Sequence, residues 1–286
     1  MKLILDAGGV IVYPAFGHWR YGAAMLRPPV ADTLESEAYL RAHKACKHLM
    51  REDVRMDTEA EEYRVRLRYF EAMNEMVPWG LARRQVEELA RDFVENTARM
   101  GVYADAHAYL PRFQKRFGLG LLSDTAPSLK RVFENAGIWQ YFDAHVFSTD
   151  VGALKPDPAM YARILSLLGA RAEDCLFVDD LPRNLRGAEK AGMRAVQMAR
   201  AEDVERWDGP VVTDFAELEA YAEALGDGRG RRVKVRYVEK TFYADLTPGK
   251  IYDGEICKEN ERIVGLVNDH GEEYGYPLSA FEIVGE

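Results

Sequence analysis

Between Asp105 and Met198 short apolar runs alternate with segments of helical length, and no other feature of the 286-residue chain narrows its fold so far. The runs are Leu119–Leu122, Ala144–Ser148, Leu176–Val178 and Ala195–Met198. The segments around them, about 105–117, 127–137, 157–168 and 182–191, carry helical periodicity, and Gly192 stands where the last should stop. A short unbroken apolar run is a strand covered on both faces. Strands that alternate with helices close right-handed βαβ units and build a parallel sheet. Leu3-Ile4-Leu5, ending at Asp6-Ala7-Gly8-Gly9, reads as a first buried strand and a tight turn. The expected class is therefore α/β, a Rossmann-like parallel sheet, closed by a helix near 215–224.

The alternation is interrupted between about His18 and Met100. Tyr63, Leu67 and Phe70 form one helical stripe; Val86, Leu89, Ala90, Phe93 and Val94 form another. Asp57-Thr58 is a start signal and Pro78-Trp79-Gly80 a stop signal. We expect an all-helical insertion of about four helices over 15–103, set into a core formed by 1–14 and 104–225. Trp79, Tyr63, Phe70 and Tyr69 are expected to fill the core of that insertion. Gly226-Asp227-Gly228-Arg229-Gly230 reads as a linker, 226–231. Beyond it, over 232–286, the period changes to short strands at Val233–Val238, Ile251–Ile256, Ile263–Val267 and Phe281–Val284, with turns at Pro248-Gly249, Asn268–Gly271 and Tyr276-Pro277.

The formal net charge is −9, the wrong sign for a general binder of nucleic acid or anionic membrane. Cys46, Cys175 and Cys257 are widely spaced, which fits a reducing, cytoplasmic setting. His43, Cys46 and His48 resemble a metal-ligand run, but on one helix His48 leaves the face shared by the other two. The chain opens directly on a strand-like run, so neither a signal peptide nor a membrane span is expected.

Ligands of an open parallel sheet bind beyond the carboxyl ends of its strands. Asp6, Ser123 and Asp179-Asp180 fall at such ends, and the loop after Ala144–Ser148 reaches Lys155. Carboxylates so gathered need a cation. An all-oxygen set favours a hard ion, and Mg²⁺ is the usual one beside a phosphate. Asp6 is the natural attacking group, since a carboxylate can form an aspartyl-phosphate that water then hydrolyses. Ser123 would donate to a phosphoryl oxygen, Lys155 would neutralise, and Gly8 and Gly9 would let the backbone approach.

Asp6-x-Gly-Gly-Val, Ser123-Asp-Thr, Lys155-Pro-Asp and Phe177-Val-Asp179-Asp180-Leu-Pro-Arg-Asn184-Leu-Arg-Gly187-Ala188, in that order, resemble the haloacid dehalogenase superfamily over about residues 1–200. The resemblance implies a phosphatase with Asp6 as nucleophile and metal ligand. It makes the Gly8 carbonyl and Asp180 further ligands, and Asp179 either a ligand or the support of one. It places Gly8, Gly9, Ser123, Asp124 and Lys155 against a small phosphorylated metabolite. The helical insertion corresponds to the family's cap. One position departs from the pattern: a second aspartate, the general acid, usually stands two residues after the nucleophile, and here Gly8 does. That removes a contribution typically worth about 10²–10⁴ in rate. His18 is a candidate replacement. Two rivals remain, a haloacid dehalogenase proper and a degenerate binding protein.

Leu246-Thr-Pro-Gly-Lys250-Ile-Tyr252, Asp269–Glu273 and Tyr276–Phe281 resemble small bacterial SH3-like barrels. The resemblance implies a fold, and with it a possible homodimer or peptide contact.

Overall fold

The computed structural model describes residues 1–50, 54–201, 204–226, 231–238, 245–256 and 263–285. Cys257 and residues 227–230 of the expected linker lie outside them. The chain divides into two compact units, Met1–Ala216 and Glu217–Glu286.

In the larger unit β1 (Lys2–Leu5) leads through a turn to β2 (Val12–Pro14). The insertion holds α1 (Glu37–Cys46), α2 (Glu59–Met76) and α3 (Arg83–Glu95), with short 3₁₀ turns in place of the fourth helix expected. β3 (Met100–Val102) returns antiparallel to β2. Then follow α4 (Ala104–Phe117), β4 (Leu119–Ser123), α5 (Ser128–Asn135), β5 (Ala144–Phe147), α6 (Ser148–Val151), α7 (Pro158–Leu168), β6 (Cys175–Asp179), α8 (Pro182–Lys190), β7 (Arg194–Met198) and β8 (Val211–Val212). α9 (Phe215–Gly226) spans the division between the units.

The sheet runs β5-β4-β1-β6-β7-β8 and every pairing in it is parallel. β1 sits between β4 and β6, where the strand order reverses, so the carboxyl ends of all three share one edge. Every residue of β4 and β6 is buried, as their unbroken apolar runs require. Ile4, Leu122 and Phe177 pack against Met160, Tyr161 and Ile164 of α7 and Leu185 of α8. Each fully buried side chain of this kind is worth about 1.5–3 kcal/mol. Two details differ from the sequence reading. Ser148 starts α6 instead of ending β5, and the two-residue β8 is too short to leave a periodic signal.

Inside the insertion Thr58 caps α2 with a reciprocal Glu61 capping box. The stripe on α3 is buried as expected, and Trp79, Tyr69 and Phe70 lie in the same core. The buried face of α2 is another matter. It consists of Glu62, Arg66, Tyr69, Phe70 and Met73, while Tyr63 and Leu67 are only half-buried. Two charged residues hold places that an apolar stripe predicts for hydrophobes.

The smaller unit is a five-stranded antiparallel sheet in the order β12-β11-β10-β9-β13. Its strands are β9 (Arg231–Tyr237), β10 (Ile251–Ile256), β11 (Ile263–Val267), β12 (Glu273–Pro277) and β13 (Phe281–Gly285). Tyr276-Pro277, expected as a turn, ends β12, and the turn follows at Leu278–Ala280. Tyr276 is buried in the core with Val235, Tyr252, Val264 and Phe281. Asp269 accepts hydrogen bonds from Thr247, Lys250 and Tyr252, so this motif pins two turns together. Those bonds, that of Lys250 foremost, hold the Asp269 carboxyl well below the usual range.

Candidate active site

Asp6 follows β1 directly, its amide donating to the Val178 carbonyl of β6 at 2.9 Å. The chain then turns so tightly that Ala7 O accepts from Ile11 and Val12 at 2.8 and 2.9 Å. Gly9 makes the turn possible in two ways. Its φ is +70°, and a Cβ there would stand 2.6 Å from an Asp180 carboxylate oxygen.

Lys155, 3% exposed, joins the strand ends. Its Nζ lies 2.8 Å from Asp6 Oδ1, donates to Asp179 Oδ2 at 2.7 Å and donates to the Leu122 carbonyl at 3.1 Å. Its amide donates to Asp124 Oδ1 at 2.8 Å, and the Lys155-Pro156 peptide is cis. Asp179 is fully buried and also accepts from the Leu181 amide and from Asn184 Nδ2, at 2.9 and 3.0 Å. Oxygens of Asp6, Asp179 and Asp180 lie within 4.8 Å of one another. Asp6, Gly8, Ser123, Asp124, Lys155 and Asp180 all line one cavity of about 250 Å³. Gly9 and Asp179 stand behind that wall, Gly9 against Asp180 and Asp179 against Lys155.

Burial raises the Asp180 carboxyl to about 8, with Asp6 and Asp179 adding to the effect. Burial also raises Asp6, against the pull of Lys155. For Lys155 burial works against the charged form, but Asp179, Asp6 and Asp124 outweigh it and lift the ammonium above its ordinary value. The two raised carboxyls have a measurable consequence. In EDTA-treated protein the folded state retains protons that the unfolded chain gives up near pH 4. This stabilisation is complete below that pH and is lost as pH rises through about 8. Lys155 titrates above this window and leaves the slope unchanged. Relative to wild type, Asp180→Asn should therefore lose less thermal stability between pH 5 and 8.5 in EDTA. Equal slopes in wild type and variant would refute this account.

His18 is exposed and accepts from the amide and Nε of Arg20, at 3.1 and 3.2 Å, and it does not line the cavity. Its neighbour Trp19 does; a Cβ added at Gly8 would meet the Trp19 ring at 3.4 Å. His43 bonds Tyr69, His48 bonds the Ala45 carbonyl and Cys46 bonds Met76, so the three point to separate partners.

Sequence reasoning missed several residues. Ser148 Oγ bonds both the amide and the carbonyl of Thr125, tying the loop after β4 to the start of α6. Glu62 accepts from the amide and hydroxyl of Ser128, at 2.9 and 3.0 Å, and so caps α5 from the insertion. Arg66 pairs with Glu62 at 3.4 Å and Arg99 donates to Ser128 Oγ at 3.0 Å. The guanidinium carbons of Arg66 and Arg99 lie 4.6 and 4.7 Å from the centre of the Phe93 ring, and all three side chains line the cavity. The available signal was the spacing of Glu62, Arg66, Tyr69 and Met73 along one helix face.

A parallel sheet of this order, with an acid cluster and a lysine at its carboxyl edge and helices inserted after β1, defines the haloacid dehalogenase type of α/β hydrolase. Residues 3–192 match the haloacid dehalogenase-like hydrolase family, and the chain belongs to it. It is 35% identical over 152 residues to a phosphoserine phosphatase of Thermus thermophilus, a match covering 51% of this chain and 61% of that one. It is 34% identical over 124 residues to an enolase-phosphatase E1 of Marinobacter nauticus, covering 42% and 53%. The chain thus spans little more than half the length of these relatives. A 2-haloacid dehalogenase of Pseudomonas syringae superposes with a TM-score of 0.56 at 20% identity, covering 78% of this chain and 98% of that one. An L-2-haloacid dehalogenase of Xanthobacter autotrophicus gives 0.55 at 18%, with the same coverage. At such identities the superpositions show the fold alone. Among the described residues no helix is long and apolar enough to cross a membrane.

Proposed function

We propose that this chain is a Mg²⁺-dependent phosphatase acting on a small organic phosphate monoester, with Asp6 as nucleophile. The observation that carries this reading is the approach of Asp6, Asp179 and Asp180 within 4.8 Å. Three carboxylates against one lysine leave negative charge to be offset, and an all-oxygen donor set suits a hard cation. Asp6, Asp180 and the Gly8 carbonyl are its ligands in this reading. The oxygens of Asp179 already accept from Lys155, Asn184 and Leu181, so we give Asp179 the supporting role. Bound there, Mg²⁺ supplies charge neutralisation for the transferring phosphoryl group.

The residues of the chain do the rest. An Asp6 oxygen bonds to phosphorus as the bond to the organic oxygen breaks, giving an aspartyl-phosphate. The organic group leaves as its oxyanion and takes a proton from solvent; water then attacks that phosphorus, the bond from phosphorus to Asp6 breaks, and the proton lost by the water passes to solvent. Lys155 sets a fixed positive charge beside Asp6 and the phosphoryl oxygens, and Ser123 donates to one of them. Asp124 fixes the Lys155 backbone. Gly8 offers no proton to the leaving oxygen, which favours substrates whose alcohol leaves readily. The insertion over 15–103 acts as the cap, and the substrate is a small phosphorylated metabolite of the cytoplasm. The phosphatase relatives support the same reading.

Phosphate release from p-nitrophenyl phosphate should require Mg²⁺ and stop on chelation. Phosphate release indifferent to EDTA would remove the metal from this reading, and chloride release from 2-chloropropionate insensitive to EDTA would replace it with the dehalogenase one.

A further inference from the structure

We infer that Trp19 is the platform for the organic part of the substrate and selects esters of a flat, conjugated hydroxyl, that is, aryl phosphates. This rests on the phosphatase reading above and names the class of ester that the site takes.

The indole stands beside the proposed nucleophile. A single methyl-sized position, that of a Cβ on Gly8, lies 3.4 Å from Trp19 Cζ2 and 3.9 Å from Asp6 Oδ2. The ring thus borders the space next to a phosphorus attacked by Asp6, and it lines the same cavity as Asp6, Ser123 and Lys155. Val12, Met100 and Leu181 add apolar wall to that cavity. Its volume of about 250 Å³ lies below the usual range for drug-sized ligands and suits a group of one ring.

Of the four tryptophans, Trp19 alone has no hydrogen-bond or ring partner among the described residues. Trp79 Nε1 donates to Thr33 Oγ1 at 2.7 Å, Trp207 Nε1 donates to the Pro210 carbonyl at 3.0 Å, and Trp139 lies against His145. Trp79 and Trp207 are 4% and 8% exposed, as core residues are, whereas Trp19 is 41% exposed. Its apolar surface stays wet until something covers it, and covering it is favourable. The ring is also held in place from its backbone. The Tyr21 amide donates to the His18 carbonyl at 3.0 Å and the Arg20 amide to His18 Nδ1 at 3.1 Å, so a turn closes around Trp19. A platform fixed in advance leaves little ordering cost for binding.

The chemistry of the leaving group points the same way. Neither Gly8 nor an indole supplies a proton beside Asp6, so the organic oxygen departs as an anion and takes its proton from solvent. A conjugated oxygen spreads that charge into its own flat ring, and the same flat ring stacks on an indole. An aryl phosphate has both properties, and an alkyl phosphate has neither.

The test is calorimetry of phenylphosphonate and cyclohexylphosphonate on Mg²⁺-loaded protein. The two share carbon count and phosphorus group, differ as flat against puckered ring, and are not turned over. Phenylphosphonate should bind wild type about 3–10-fold more tightly, the range of aromatic pairs beyond their buried area. Trp19→Phe should keep most of that preference, and Trp19→Ala should bring the ratio close to one. Trp19→Leu, which keeps apolar bulk and loses the π face, takes the place of Trp19→Ala if the latter does not melt cooperatively. In turnover, the kcat/KM ratio of phenyl phosphate to cyclohexyl phosphate should fall by the same factor in the variant, chiefly through KM. The difference in leaving group is common to both proteins and cancels. Equal dissociation constants in wild type, or a preference that survives loss of the indole, overturn the inference and leave the phosphatase reading standing. If neither phosphonate binds and neither ester is hydrolysed, the phosphatase reading fails and the inference falls with it.

Discussion

Asp6→Asn should lower phosphate release from p-nitrophenyl phosphate by a factor on the order of 10⁴ or more, as loss of a nucleophile does elsewhere. The change is isosteric and leaves the backbone bond from Asp6 to Val178 in place. It removes the carboxylate that attacks in the proposed mechanism, one of two beside Lys155, and Asp179 remains at 2.7 Å to hold the lysine. Folding should therefore survive, and a melting curve with a single cooperative transition is the control. With a phosphate analogue such as vanadate the variant should still show binding. Turnover near that of wild type in a folded variant would remove Asp6 from the reaction and with it the proposed mechanism.

Gly9→Ala should be the most damaging single-methyl change at the site. Alanine at φ +70° costs about 1–2 kcal/mol from backbone strain alone. Its Cβ would also stand 2.6 Å from an Asp180 oxygen and 2.8 Å from the carboxyl carbon, so that carboxylate has to turn away. Displacing a proposed ligand in this manner should weaken Mg²⁺ binding by about 10–100-fold, the range for changes that disturb a ligand's support. The measurement is a Mg²⁺ titration of turnover in both proteins. An unchanged half-saturating concentration would separate Asp180 from the metal. Gly8→Ala is the comparison: its nearest neighbour would be the Trp19 ring at 3.4 Å, an ordinary contact.

The sheet was legible because each buried strand is an unbroken apolar run, and runs such as Leu119–Leu122 and Leu176–Val178 cannot be mistaken for amphipathic helix at that length. The polar residues that end these runs were legible for the same reason, since Asp6, Ser123 and Asp179 stand out against their apolar neighbours. What the sequence hid was the upper wall of the cavity. Glu62 and Arg66 carry charge and so have no place in an apolar stripe, which is drawn through Tyr63, Leu67 and Phe70 instead. Only the tertiary partners, Ser128 from the core and Phe93 from α3, reveal that these charges face inward. The edge of the small sheet was misplaced for a related reason. Tyr276-Pro277 has turn chemistry in isolation, but pairing with Ile263 and Val264 extends β12 through it.

The carboxylate of Glu62 ties two events into one equilibrium. It caps α5 through Ser128 and anchors Arg66 on α2, so any separation of these helices strips the cap from α5 and draws an arginine away from the cavity. Any ligand that needs the two helices together therefore binds the closed arrangement more tightly than the open one. Its affinity difference is the free energy available for closure. Substitutions at Ser128 that loosen this contact weaken the binding of such a ligand in proportion to the closed fraction they remove, even though Ser128 need not touch the ligand.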